Sequence, residues 1–233
     1  MLFQDLAVIV VAGGSGSRYG VRNKLLEPLA GMPVFAHALC NFGSCVSEGH
    51  LILVVGKTME EEVAALLDGM ELPNSPVVTR GGASRAESVR NGLAEVPEKV
   101  KYVAICDAAR PLGDRSLLAK VLEAARECGG AVAAHRVTDT IKRISPEGKI
   151  LETIDRNVLA AVETPQVFEW KKLQEAWQLA QTAAREFTDD AAVMEFAGFP
   201  VQVVFHEGNN EKLTFAKDLP FLESCLRQRN VKL

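Results

Sequence analysis

The stretch Leu6-Ala7-Val8-Ile9-Val10-Val11-Ala12-Gly13-Gly14-Ser15-Gly16-Ser17-Arg18-Tyr19-Gly20 decides the fold. Seven consecutive apolar residues with no polar alternation fit a strand buried on both faces, and a glycine-rich turn at the carboxyl end of a first strand is where α/β folds bind ligands. Working outward, short apolar runs recur at 51–55, 103–107, 131–134 and 201–205. Between them, stretches of helical period lie at 34–42, 59–67, 85–95, 115–127, 171–185 and 217–226. This alternation predicts an α/β fold, a Rossmann-like three-layer α/β/α sandwich with a mostly parallel sheet, in a single domain over 1–233. One segment, 136–154, departs from the pattern: two β-prone stretches flank Ser145-Pro146-Glu147-Gly148, which predicts a protruding hairpin within an arm at about 136–157. A hairpin alone is only marginally stable in water, so the arm is expected to pack on a second subunit and give a homodimer.

Bulk properties restrict the class. A chain of 233 residues can bury a sizeable core, and its 48% hydrophobic and 24% charged residues are ordinary for a globular protein. The net charge of −4 and the lack of a Lys/Arg run leave no nucleic-acid surface and no anionic-membrane surface. The run from Leu6 follows Asp5, not a basic segment, and is too short to span a bilayer. Cys40, Cys45, Cys106, Cys128 and Cys225 are scattered, with no CxxC pair and no His at ligand spacing, which fits a reduced, cytoplasmic setting.

Glycines let backbone N–H groups approach a ligand closely, so the loop after the first strand suits a phosphate chain. A dinucleotide fingerprint beginning at Gly14 and Gly16 needs a small residue where Tyr19 stands, and the second strand ends in Gly56-Lys57 instead of an acid. A P-loop needs Gly-Lys followed by Ser or Thr, a tripeptide absent from the chain. Arg18 and Lys24 place two cations beside the loop, able to neutralise charge on a reacting phosphate. The plain alternative is a mobile surface loop with two solvated cations.

The loop resembles that of the nucleotidyltransferases that activate sugars and polyols. Further motifs narrow the resemblance: Gly81-Gly82-Ala83-Ser84-Arg85-Ala86-Glu87-Ser88-Val89-Arg90-Asn91-Gly92-Leu93, Cys106-Asp107-Ala108-Ala109-Arg110-Pro111, Asp139-Thr140-Ile141-Lys142, Thr164-Pro165-Gln166-Val167-Phe168, Thr188-Asp189-Asp190-Ala191 and Lys212-Leu213-Thr214. In this order they are similar to the 2-C-methyl-D-erythritol 4-phosphate cytidylyltransferases. The resemblance implies transfer of CMP from CTP to a polyol phosphate in non-mevalonate isoprenoid biosynthesis. A ribitol 5-phosphate cytidylyltransferase and a catalytically silent nucleotide-binding protein on the same scaffold are the alternatives.

The resemblance also implies roles. Arg18, Lys24 and Lys212 would be catalytic cations, and Ala12, Gly13, Gly14, Gly16, Gly82, Ala83 and Ser88 would bind CTP. Asp107 would hold Mg²⁺ or another divalent cation. Thr140, Arg156, Thr164 and Lys212 would meet the acceptor, with the arm reaching across the dimer. Each has a blander reading beside it. Ser84 can simply cap the following helix, with Glu87 completing a capping box. Asp107 can simply pair with Arg110, and Lys142 and Arg143 suit a charged, exposed hairpin. Cys106, in apolar surroundings, reads as a small buried residue. Since the chain ends at Leu233, soon after the last helix, a single activity is expected without the fused cyclodiphosphate synthase domain that some family members carry.

Overall fold

In the computed structural model the described residues are 2–13, 19, 23–181, 183 and 186–230. In chain order the elements are β1 (Leu6–Ala12), β2 (Pro28–Leu29), β3 (Met32–Pro33), α1 (Val34–Gly43), β4 (Leu51–Val55), α2 (Glu60–Asp68), β5 (Val77–Arg80), α3 (Arg85–Ala94), β6 (Tyr102–Asp107) and α4 (Arg115–Cys128). There follow β7 (Gly130–Arg136), β8 (Ile141–Ile144), β9 (Ile150–Ile154), β10 (Ala160–Glu169), α5 (Trp170–Ala180), α6 (Asp190–Phe196), β11 (Gln202–Phe205) and α7 (Leu219–Asn230).

Seven strands form one sheet in the order β11-β7-β10-β6-β1-β4-β5. All neighbours run parallel except β10, which is antiparallel to both β6 and β7. Strand periodicity makes the layers. Leu6, Val8 and Val10 of β1 enter one core with α1, α2, α4 and α7, while Ala7 and Ile9 enter the other with α3, α5 and α6. Both faces of β1 are therefore covered, which is why its sequence shows no alternation.

Helix ends follow local chemistry. Asp114 caps α4 by accepting the Leu117 N–H, and Gly129, at φ 95°, stops the same helix in a left-handed conformation that a side chain would disfavour. Register brings the functional ends together. Val11 lies beside Asp107, Ala12 beside Val55 and Val55 beside Arg80, so the segments following β1, β4, β5 and β6 emerge along one sheet edge.

Several elements differ from expectation. The helix expected over 171–185 ends at Ala180. The one expected over 217–226 begins as a 3-10 turn, Ala216–Asp218, and continues as α7. Strands β5 and β10 and helix α6 were not foreseen. Val77–Arg80 is a half-exposed edge strand and Ala160–Glu169 carries Pro165 behind a cis peptide, so neither makes a clean apolar run. The predicted hairpin is β8 and β9, a separate two-stranded sheet whose turn closes through Gly148 N–H to Ser145 O. Ile144, Ile150 and Leu151 on it are 58%, 65% and 54% exposed.

Candidate active site

The first half of the site is assembled around Ser88, which is fully buried on α3. Its hydroxyl donates to Ser84 O at 2.9 Å and accepts the Gly82 N–H at 3.1 Å. A Cβ built on Gly13 would lie 2.7 Å from Ser88 Oγ, so the loop after β1 can meet α3 only with glycine there. Gly13, Gly82 and Ser88 are thus brought together, with Ala12 at the end of β1 beside them. Ser84 does cap α3, accepting the Glu87 N–H at 3.1 Å. The return bond of the expected capping box lands one residue earlier: Glu87 Oε2 accepts from Ala83 N–H at 2.8 Å, because the chain approaches the helix with that amide turned toward its first turn. Gly14, Gly16 and Arg18 lie outside the described residues.

The second half is charged. Asp107 ends β6, and its backbone N–H donates to Thr164 Oγ1 at 3.0 Å. Its Oδ2 accepts from Lys212 Nζ at 2.8 Å and lies 3.6 Å from Arg110 Nε, so the simple Asp107–Arg110 pair exists but is the looser of two contacts. Burial would raise the Asp107 carboxyl, but Lys212, then Arg110 and Arg85, more than offset that and hold it below the usual carboxylate range. Lys24 Nζ donates to Leu213 O at 2.6 Å, one residue from Lys212, and Leu213 N–H in turn donates to Ala109 O at 2.8 Å. The 210–213 segment is therefore pinned across the edge of β6 with Lys24, Lys212, Asp107 and Thr164 around it. Cys106, next to Asp107, faces the core, and burial pushes its thiol well up, which suits an inert packing residue.

Arm residues stand apart. Arg156 Nη1 donates to Thr138 O, and Thr140 is exposed just before β8. Lys142 Nζ donates to Thr153 Oγ1 at 2.5 Å and Arg143 pairs with Glu152 at 2.9 Å, as an exposed charged hairpin would. Among the described residues no hydrogen bond or ion pair joins Thr140 or Arg156 to Asp107 or Lys212.

Sequence reasoning missed the group behind Lys212. Glu163 accepts from Asn210 Nδ2 at 2.8 Å and lies 3.2 Å from Arg110 Nη1, 3.0 Å from His135 Nδ1 and 3.1 Å from His206 Nε2. Asn210 also donates to Thr164 O at 2.8 Å, and its own carbonyl accepts from Arg110 Nη1 at 2.6 Å. The only textual signal was a Glu immediately before the Thr164-Pro165 motif. Another missed pair is Arg85 with fully buried Asp190, 2.8 Å apart, which ties the start of α3 to α6.

The chemical capacity of this edge is the handling of a polyanion beside one carboxylate. A hard divalent cation such as Mg²⁺ is commonly held by one or two carboxylates with phosphate oxygens completing its shell. Asp107, kept ionised and mostly buried, fits that pattern as a single protein ligand.

Comparison with known proteins agrees with this chemistry. Residues 6–228 match a family model described as 2-C-methyl-D-erythritol 4-phosphate cytidylyltransferase. A protein of that name from a Synechococcus species is 38% identical over 223 residues, covering 95% of this chain and 96% of the relative. Among solved structures, 2-C-methyl-D-erythritol 4-phosphate cytidylyltransferase from Thermus thermophilus superposes with a TM-score of 0.77 at 28% identity, covering 96% of this chain and all of the other. The 4-diphosphocytidyl-2C-methyl-D-erythritol synthase from Anaerococcus prevotii superposes with a TM-score of 0.82 at 25% identity, covering 96% of each chain.

Proposed function

Because the chain belongs to the 2-C-methyl-D-erythritol 4-phosphate cytidylyltransferase family, we infer that it transfers CMP from CTP to 2-C-methyl-D-erythritol 4-phosphate, releasing pyrophosphate, in non-mevalonate isoprenoid biosynthesis. The observation that carries the residue-level reading is the Lys212–Asp107 contact of 2.8 Å, with Lys24 anchored one residue away on Leu213. Two lysines and one carboxylate at a strand end suit a reaction in which two phosphate groups must meet despite their like charge.

The reaction is a substitution at phosphorus. An oxygen of the acceptor's phosphate attacks the α-phosphorus of CTP, a new P–O bond forms, and the bond to the β-phosphate oxygen breaks so that pyrophosphate carries the electron pair away. No protein nucleophile is required. Lys24, with Arg18 from the loop after β1, would balance charge gathering on the α-phosphate and the leaving pyrophosphate, while Lys212 would face the acceptor phosphate. Asp107 would hold a divalent cation, Mg²⁺ in this proposal, which when bound supplies charge neutralisation on the triphosphate. Ser88 would set the backbone of Gly82 and Ala83 against the nucleoside, with Gly13, Gly14 and Gly16 clearing space for the phosphates.

Thr164 would help shape the acceptor side. Thr140 and Arg156 would serve the acceptor site of a second copy, which accounts for their separation from Lys212 within one chain and for the apolar side chains exposed on the arm. The working form would be a cytoplasmic homodimer.

Pyrophosphate release measured with CTP and either polyol phosphate tests the reading. Methylerythritol phosphate should be preferred by kcat/KM; preference for ribitol 5-phosphate would reassign the acceptor, and CTP binding without turnover on either would make the protein a silent nucleotide binder.

A further inference from the structure

The geometry points to a second cation site, one for a first-row transition metal of the zinc class, built from His135, Glu163 and His206. His135 comes from the end of β7, Glu163 from β10 and His206 from just beyond β11. His135 Nδ1 faces Glu163 Oε1 at 3.0 Å, and His206 Nε2 faces Glu163 Oε2 at 3.1 Å. The three ligand atoms all lie within 4.8 Å of one another, and the imidazole centroids are 4.0 Å apart. Ligands at 2.0–2.2 Å from a tetrahedral ion sit a little over 3 Å apart, so small rotations of side chains already in place would complete the set.

Hydrogen bonding at His135 turns one ring nitrogen toward Glu163 as a candidate ligand. Its Nε2 lies 3.1 Å from Gly208 O, which can only accept, so Nε2 carries the hydrogen. In the neutral ring Nδ1 is then a bare lone pair, and it faces an oxygen of Glu163. Burial would raise that carboxyl, but the Arg110 guanidinium and the Asn210 amide hold it low, so the oxygen offers lone pairs too. Two lone pairs 3 Å apart need a cation between them. Protonated His135 and the Nε2–H tautomer of His206 would each meet a separate Glu163 oxygen, whereas a divalent ion takes both imidazoles and the carboxylate at once.

The surroundings match a metal ligand set. A ligating histidine commonly donates its other ring N–H to a carbonyl, which fixes the tautomer, and His135 does so to Gly208. Two nitrogens and a carboxylate with a further position open suit zinc better than the all-oxygen preference of Mg²⁺. Arg110 does not cancel Glu163 alone, because it shares its charge with Asp107. Occupancy would tie three strands together behind Asn210, two residues before Lys212, so the ion would stiffen the mount of that lysine without touching substrate.

The experiment needs no turnover. Chelator-stripped full-length protein is titrated with Zn²⁺ by calorimetry, with Mg²⁺ as control, and with Co²⁺ followed by its visible absorption bands. One equivalent of Zn²⁺ should bind, millimolar Mg²⁺ should leave it in place, and His206→Gln and Glu163→Gln should each weaken it by about 100-fold or more. Asp107→Asn, which removes no ligand and only frees Arg110 toward Glu163, should lower Zn²⁺ affinity far less than either ligand variant, separating this site from the proposed Mg²⁺ ligand. Equal Zn²⁺ affinity in wild type and His206→Gln would overturn the proposal. Should the variants unfold, imidazole ¹⁵N spectra of the wild type decide: Zn²⁺ must shift His135 Nδ1 and His206 Nε2, and unmoved signals mean that only a proton occupies the site.

Discussion

Lys212 Nζ stands 2.8 Å from Asp107 Oδ2, a contact between residues 105 positions apart that binds the 210–213 segment to the end of the central strand β6. Asp107 is mostly buried while Lys212 remains 38% exposed, so the lysine can turn to an incoming phosphate without leaving the carboxylate uncompensated, since Arg110 stays beside it. Lys212→Met should therefore lower kcat/KM by about 100-fold or more, the scale of losing one preorganised electrostatic donor, with the fold retained by circular dichroism. Turnover close to that of the wild type would remove Lys212 from the chemistry.

Gly13 and Ser88 make a steric prediction. Alanine at 13 would put its Cβ 2.7 Å from Ser88 Oγ and 3.2 Å from Ser88 Cβ, forcing the loop after β1 off α3. Gly13→Ala should raise the KM for CTP by roughly tenfold or more, a loss of one to two kcal/mol of binding. Adding Ser88→Ala removes the nearer clash, so the double variant should recover part of that affinity. If Gly13→Ala binds CTP normally, the close approach has no bearing on the nucleotide.

The sheet and the motifs were legible in the sequence for a physical reason. β1, β4 and β6 are covered on both faces, so burial writes itself as unbroken apolar runs, and their carboxyl ends carry the glycines and Asp107. β10 was hidden because its first half is largely exposed, its only apolar run, Ala160-Ala161-Val162, is broken by Glu163 and Thr164, and its second half follows Pro165, although this strand delivers both Thr164 and Glu163. The Glu163 cluster joins residues 135, 163, 206 and 210, whose proximity comes from strand order alone, β11-β7-β10, and leaves no mark in local spacing. Side-chain direction was equally unreadable: Lys24 turning to Leu213 O depends on a partner 189 residues away.

Stability should respond to pH at the cap of α4. Burial pushes the Asp114 carboxyl up, but the Leu117 and Ser116 N–H groups and the Ser116 hydroxyl more than offset that and hold it below its ordinary value. A depressed folded value means that the stabilisation is present above the unfolded value of about 4 and fades as pH falls through the folded one. Asp114→Ala should cost about 1 kcal/mol at neutral pH by urea titration, and the difference should shrink toward zero in acid. A pH-independent difference would mean that the charge contributes nothing to the cap.

The arm gives the most discriminating prediction, because within one chain Arg156 contacts Thr138 while Lys212 contacts Asp107. If each acceptor site combines the body of one subunit with the arm of its partner, Lys212→Met and Arg156→Ala should each be nearly inactive as homodimers. In a mixed dimer one site inherits both lesions and the other inherits neither. Random pairing of equal amounts makes half the dimers mixed, so co-expression should restore roughly a quarter of wild-type activity in a symmetric two-site dimer. Arms that serve their own subunit would leave one lesion in every site of the mixed dimer, and no activity would return. Size-exclusion chromatography with light scattering on the same samples separates that outcome from failure to dimerise, since a monomer also shows no recovery but elutes at half the mass.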